Sequence, residues 1–115
     1  MPSRNMAARA YAAASARTSP RQQEADVFRL VTARLQAARQ AAPIALVRAL
    51  ADNRRLWIAV SDLARDPSNS LPRETRAGIV SIGLSVQREM DSDDPNVDFL
   101  IAINRNMAGG LSGEP

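Results

Sequence analysis

Apolar residues recur along this 115-residue chain with helical spacing, and nowhere with the strict alternation of a half-buried strand. Phe28, Val31, Leu35 and Ala38 fall three or four apart, with Val27 and Leu30 widening the stripe. Ser19-Pro20-Arg21-Gln22 reads as the start of that helix. Ser19 serves as a cap, Pro20 suits the first helical position because the N–H it lacks would find no partner there, and Gln22 completes a capping box. The helix should end near Ala41, because Pro43 restricts the backbone before it.

Pro43 opens a second periodic stretch, Leu46, Leu50, Trp57, Val60 and Ala64, broken at Asn53 where an apolar residue is expected. Two readings stay open: one long helix carrying a buried amide, or a new helix capped by Asp52 after a kink. Residues 66–70, Asp-Pro-Ser-Asn-Ser, form a turn. Leu71-Pro72-Arg73-Glu74 begins a third helix with Ile79, Ile82, Val86 and Met90 on one face. Gly78 and Gly83 either weaken it, by about 1 kcal/mol each relative to Ala, or admit a neighbouring helix. After the polar break at residues 91–94, Asp94-Pro95 caps a last helix bearing Val97, Leu100, Ile101, Ile103 and Met107, which Gly109-Gly110 should stop. The expected class is all-α, a small bundle of four to five short helices forming one domain over residues 1–115. An Ala- and Arg-rich N-terminal helix within residues 1–18 attaches loosely to it, having little apolar area to fix it. Residues 112–115 read as a disordered tail.

Composition narrows the chemistry. All fifteen basic residues are Arg, and the chain has no His, Lys or Cys. Arg stays protonated and so binds well but makes a poor acid or base. Ser and Thr have no base to activate them, no thiolate is available, and no Gly-rich phosphate loop is present. The expectation is a non-enzyme with no cofactor and no metal. Asp91, Asp93, Asp94 and Asp98 invite a calcium reading, but with Asp91 as the first loop position Asn96 falls where the turn glycine belongs and Ala102 where the bidentate Glu belongs. No apolar run approaches the roughly 18 residues that cross a bilayer, and the first residues lack the apolar core of a secretory signal. Without cysteine, the cytoplasm is the expected location. The Arg-rich, acid-free start also describes a mitochondrial transit peptide.

Charge is unevenly placed. Residues 1–65 carry eleven Arg against four acids, a net +7, and residues 66–115 carry four Arg against eight acids, a net −4. Such asymmetry suits a nucleic-acid surface, and equally a basic pair of helices packed beside an acidic pair. The near absence of aromatics that could stack on bases favours the second reading. The densest constellation is residues 52–57, Asp-Asn-Arg-Arg-Leu-Trp, which sets the only Trp beside two Arg. Its neighbourhood lacks the Gly-containing turn of a helix-turn-helix. Asn53 must satisfy its amide if buried, and Asp52 can pair with Arg54 or Arg55, leaving one Arg exposed.

Four short motifs stand in order along the chain: Tyr11 through Ser19-Pro20-Arg21 and Glu24; residues 52–57; Leu71-Pro72 with Arg76 and Ile79; and Ile103-Asn104-Arg105 followed by Met107 and Gly110-Leu111. Together, over about residues 8–111, they resemble the FlaF family of alphaproteobacterial flagellar biosynthesis regulators. The resemblance places Tyr11 to Arg21 in the mature domain and so argues against a transit peptide. It implies a cytoplasmic chaperone that binds the terminal helices of flagellin, supports flagellin synthesis and secretion, and works with or against the companion regulator FlbT. On that reading Leu56, Trp57, Ile103 and Met107 line or support an apolar surface, and Asn53, Arg54, Arg55 and Asn104 make its polar contacts. The alternative is a post-transcriptional regulator binding flagellin mRNA through the basic half, and a third is a homo-oligomer paired through the same stripes.

Overall fold

The computed structural model describes residues 20–111. They form four helices, α1 (Pro20–Ala38), α2 (Pro43–Arg65), α3 (Arg73–Met90) and α4 (Val97–Leu111), with no strand among them. The bundle is therefore all-α, as the periodicity implied. The cap expected at Ser19, the helix expected within residues 1–18 and the tail expected at residues 112–115 lie outside the described residues.

Each helix forms where an apolar stripe meets a stop signal. In α1 the stripe Ala25, Phe28, Val31, Leu35 and Ala38 is buried. Val27 and Leu30 do not widen it, for they stand 47% and 52% exposed on another side of the helix. The helix ends at Ala38 rather than near Ala41, and the chain tightens into a turn in which Gln40 N donates to Ala37 O and Ala41 N to Ala38 O. Pro43 then occupies the first position of α2, where it costs no hydrogen bond.

The second stretch is one continuous helix of 23 residues, which settles the choice left open at Asn53. Asp52 caps nothing, and its carboxylate accepts from Arg55 at 2.8 Å and Arg34 at 3.4 Å. The turn after α2 ties itself with side chains. Asp66 Oδ1 accepts from the backbone N and the hydroxyl of Ser68, and Asn69 Nδ2 donates to Leu63 O. Arg76 reaches back from α3 to the carbonyls of Ala64 and Asp66, partnering two of the open carbonyls at the end of α2. The cap of α4 is Asn96, not Asp94. Its Oδ1 accepts from Phe99 N at 3.0 Å, and Pro95 stays outside the helix. Nor does Gly109-Gly110 stop α4, which runs to Leu111.

Contacts fix how the helices run. Phe28 meets Trp57 edge to face with ring centroids 5.6 Å apart, and further along the pair Arg34 reaches Asp52, so α1 and α2 are antiparallel. Arg76 near the start of α3 bonds the end of α2, while Met90 and Asp91 at its close meet Asn53 and Arg54, so α2 and α3 are antiparallel too. Close packing joins α1 to α2, α2 to α3 and α1 to α4; α3 and α4 are not a closely packed pair. Gly83 lets α3 approach α2: a Cβ there would sit 2.5 Å from Ser61 Oγ and 3.5 Å from a Trp57 ring carbon. Gly78 faces open space and plays no such part. No helix among the described residues is long and apolar enough to cross a membrane.

Candidate functional site

The site residues expected from sequence separate into a buried set and a surface set. Trp57, Asn53 and Asn104 are each fully buried where α2, α3 and α4 converge. Trp57 Nε1 donates to Asn104 Oδ1 at 2.9 Å, Asn104 Nδ2 donates to Asn53 Oδ1 at 2.7 Å, and Asn53 Nδ2 donates to Met90 Sδ at 3.3 Å. This relay answers the burial cost that Asn53 raised, because an amide inside an apolar core is tolerated only when partnered. It also fixes the register of α4 on α2, since sliding α4 by one turn would strand the indole N–H and both amides. The amides of Asn53 and Asn104 thus point inward, and their geometry offers no polar contact to a partner.

Arg54 and Arg55 lie on the surface with different partners. Arg54 pairs with Asp91 at 2.6 Å, tying α2 to the end of α3, and Arg55 pairs with Asp52 while keeping 75% of its side chain exposed. Exposed pairs of this kind contribute about 0–1 kcal/mol, so both guanidinium groups can exchange partners at little cost. The remaining three, Leu56, Ile103 and Met107, are half-buried and pack on the outside of the core.

The structure brings Ile103 and Met107 into a setting the sequence did not show. Phe99, Ile103 and Met107 follow one another at four-residue steps along α4, and Phe99 is 38% exposed. On α3, Ile79 is half-buried and Ile82 exposed, while Val86 on the same stripe is fully buried. Ile79 and Met107 both line a small cleft of about 60 Å³ whose walls include Phe28, Val60, Leu63 and Leu111. The two helices that carry these stripes are not closely packed on each other, and the seam between them is apolar and incompletely filled where Ile79 and Met107 line it. Phe99 and Ile82 were missed as surface residues because periodicity gives a helix its apolar face without telling how much of that face a neighbour covers.

Electrostatics adds little at the seam. The Asp66 carboxyl is held below its ordinary value by the two hydrogen bonds from Ser68, with Arg76 nearby, but it belongs to the turn between α2 and α3. No three acidic side chains among the described residues are placed to hold a metal ion. The cleft offers mainly apolar contact, with Glu24 and Asn69 also in its walls, which is the chemistry of binding. The model of a family described as flagellar protein FlaF matches residues 7–111. No curated protein and no solved structure gave a match.

Proposed function

We propose a function from a firm premise: the chain belongs to the flagellar protein FlaF family and acts in flagellar biogenesis. That family is regulatory in type and is not a known enzyme family. Within it, this chain is a cytoplasmic chaperone that takes an amphipathic terminal helix of flagellin into the seam between α3 and α4, and so promotes flagellin synthesis and secretion. The observation that carries this reading is the apolar stripe Phe99, Ile103 and Met107 of α4, left partly open, whose Met107 shares a cleft with Ile79 of α3. An amphipathic helix laid in such a groove anchors through residues three and four apart. Trp57, Asn53 and Asn104 support the surface from beneath, and Arg54 and Arg55 supply polar contacts at its surroundings. The companion regulator FlbT is a second partner, either sharing or competing for the same client.

Co-purification tests partner and site together. The chain should retain full-length flagellin, lose it when the flagellin terminal segment that forms the docking helix is removed, and hold it in high salt. A protein that leaves flagellin behind at every salt concentration, yet shifts flagellin mRNA with a steep salt dependence, would overturn the reading in favour of RNA binding.

A further inference from the structure

One face of α1 stays exposed. Gln23, Val27, Leu30, Arg34 and Ala37 are all exposed, and their spacing of four, three, four and three residues forms a second stripe away from the buried one. That alternation is the 3.5-residue period of a helix-pairing seam, in which polar residues among apolar ones set the register. Gln23 and Arg34 hold those polar positions.

The charges around this stripe say what fits the seam. Asp26, which flanks the stripe and pairs with Arg29, lies in the N-terminal half of α1, and Arg34 lies in its C-terminal half. An antiparallel copy of the same helix therefore brings acid to Arg34 at both ends, whereas a parallel copy sets Arg34 against Arg34. Helix dipoles favour the same arrangement. We infer that this face of α1 is a two-fold, antiparallel self-association surface, and that the occupant is α1 of a second copy of this chain.

The register follows from the spacing. With Val27 of each copy stacked on Leu30 of the other, the two-fold axis passes between them, and Arg34 comes level with Gln23 of the other copy at the 1.5 Å rise per residue. Its guanidinium is then in reach of Asp26 in that copy, a carboxylate 63% exposed and held within its own chain by Arg29 at 3.3 Å. Arg34 itself pairs with Asp52 at 3.4 Å and keeps 56% of its side chain exposed, so little opposes the exchange. A two-fold interface is self-complementary by construction. The apolar patch is small, and the dimer is accordingly a weak one that depends on concentration.

Sedimentation equilibrium of the full chain over a range of concentrations tests this. The wild-type chain should pass from monomer to dimer as concentration rises. Leu30→Glu, which sets a carboxylate against Val27 of the other copy, should raise the dissociation constant by at least about tenfold, since each 1.4 kcal/mol lost is a factor of ten. Arg34→Glu should weaken the dimer likewise, and Asp26→Arg/Arg34→Glu should recover much of the loss. Because Leu30 is half exposed, circular dichroism melting should be unchanged by Leu30→Glu; were it not, Val27→Glu takes its place in the same assay. A chain that stays monomeric at every concentration overturns the inference, as does a dimer indifferent to both Leu30→Glu and Val27→Glu. Loss of flagellin capture by a monomeric chain on Leu30→Glu would likewise overturn it, assigning the face to flagellin.

Discussion

Trp57 carries more of this fold than any other single residue. It is fully buried, meets Phe28 edge to face, sits beneath Gly83 and donates the first hydrogen bond of the relay. Trp57→Ala should therefore cost about 3–5 kcal/mol, read as a lowered urea midpoint. Trp57→Phe separates the relay from the packing: it keeps most of the ring contact and leaves Asn104 Oδ1 without its donor. Its expected cost is about 1–3 kcal/mol, the penalty for one buried unsatisfied group. Equal losses from the two substitutions would show that the hydrogen bond, not the ring volume, dominates. Asn53 was legible in sequence, because an amide on an apolar stripe demands a partner. Met90 was not legible as the acceptor closing the relay, because methionine on an apolar face reads as packing and its thioether is a weak acceptor.

At the scale of the elements, the helices were legible and several of their ends were not. Periodicity located all four, since each stripe follows from burial on one side. The ends depend on which of several polar residues wins a cap, and Asn96 displaced Asp94 at α4 because its side chain reaches Phe99 N. The two glycines of α3 show what spacing leaves undecided. A methyl group placed on Gly78 would meet nothing within 4 Å. Gly78→Ala should therefore stabilise the protein by about 0.4–1 kcal/mol through chain entropy and helix propensity. Gly83→Val should destabilise by about 1–3 kcal/mol, because its side chain meets Ser61 and Trp57 between two packed helices. Thermal melting of the two variants should move in opposite directions. The turn carries a pH signature of its own. Asp66 has a folded pKa below its usual 3.8, so its contribution is present above that value and is lost as pH falls through the folded pKa. Acid should loosen residues 66–70, and Asp66→Asn should remove that part of the pH dependence, read from amide exchange in the turn.

For the whole molecule, the division of charge between the halves is spent partly inside the fold. Arg54–Asp91 and Arg39–Asp98 join the basic half to the acidic half across the bundle. This is the arrangement that a basic pair of helices packed beside an acidic pair requires, and the α3 and α4 seam is one of the places where apolar surface outruns its covering. How open that seam is could not be read from sequence, since two stripes of correct period look the same whether or not their helices meet. The seam predicts how binding responds to salt and to mutation. Phe99→Glu removes an exposed ring and adds a charge, so it should reduce flagellin capture at least about tenfold and leave the melting temperature nearly unchanged, because Phe99 is not part of the buried core. Arg55→Ala should weaken capture only modestly, and only at low salt, where a surface charge is not screened. If Arg55→Ala proves the more damaging and its effect vanishes in salt, the contact is electrostatic and lies on the Arg face of α2. Capture by wild type that persists in salt and fails with Phe99→Glu places it on the apolar stripe of α4, where the polar relay holds that helix against Trp57.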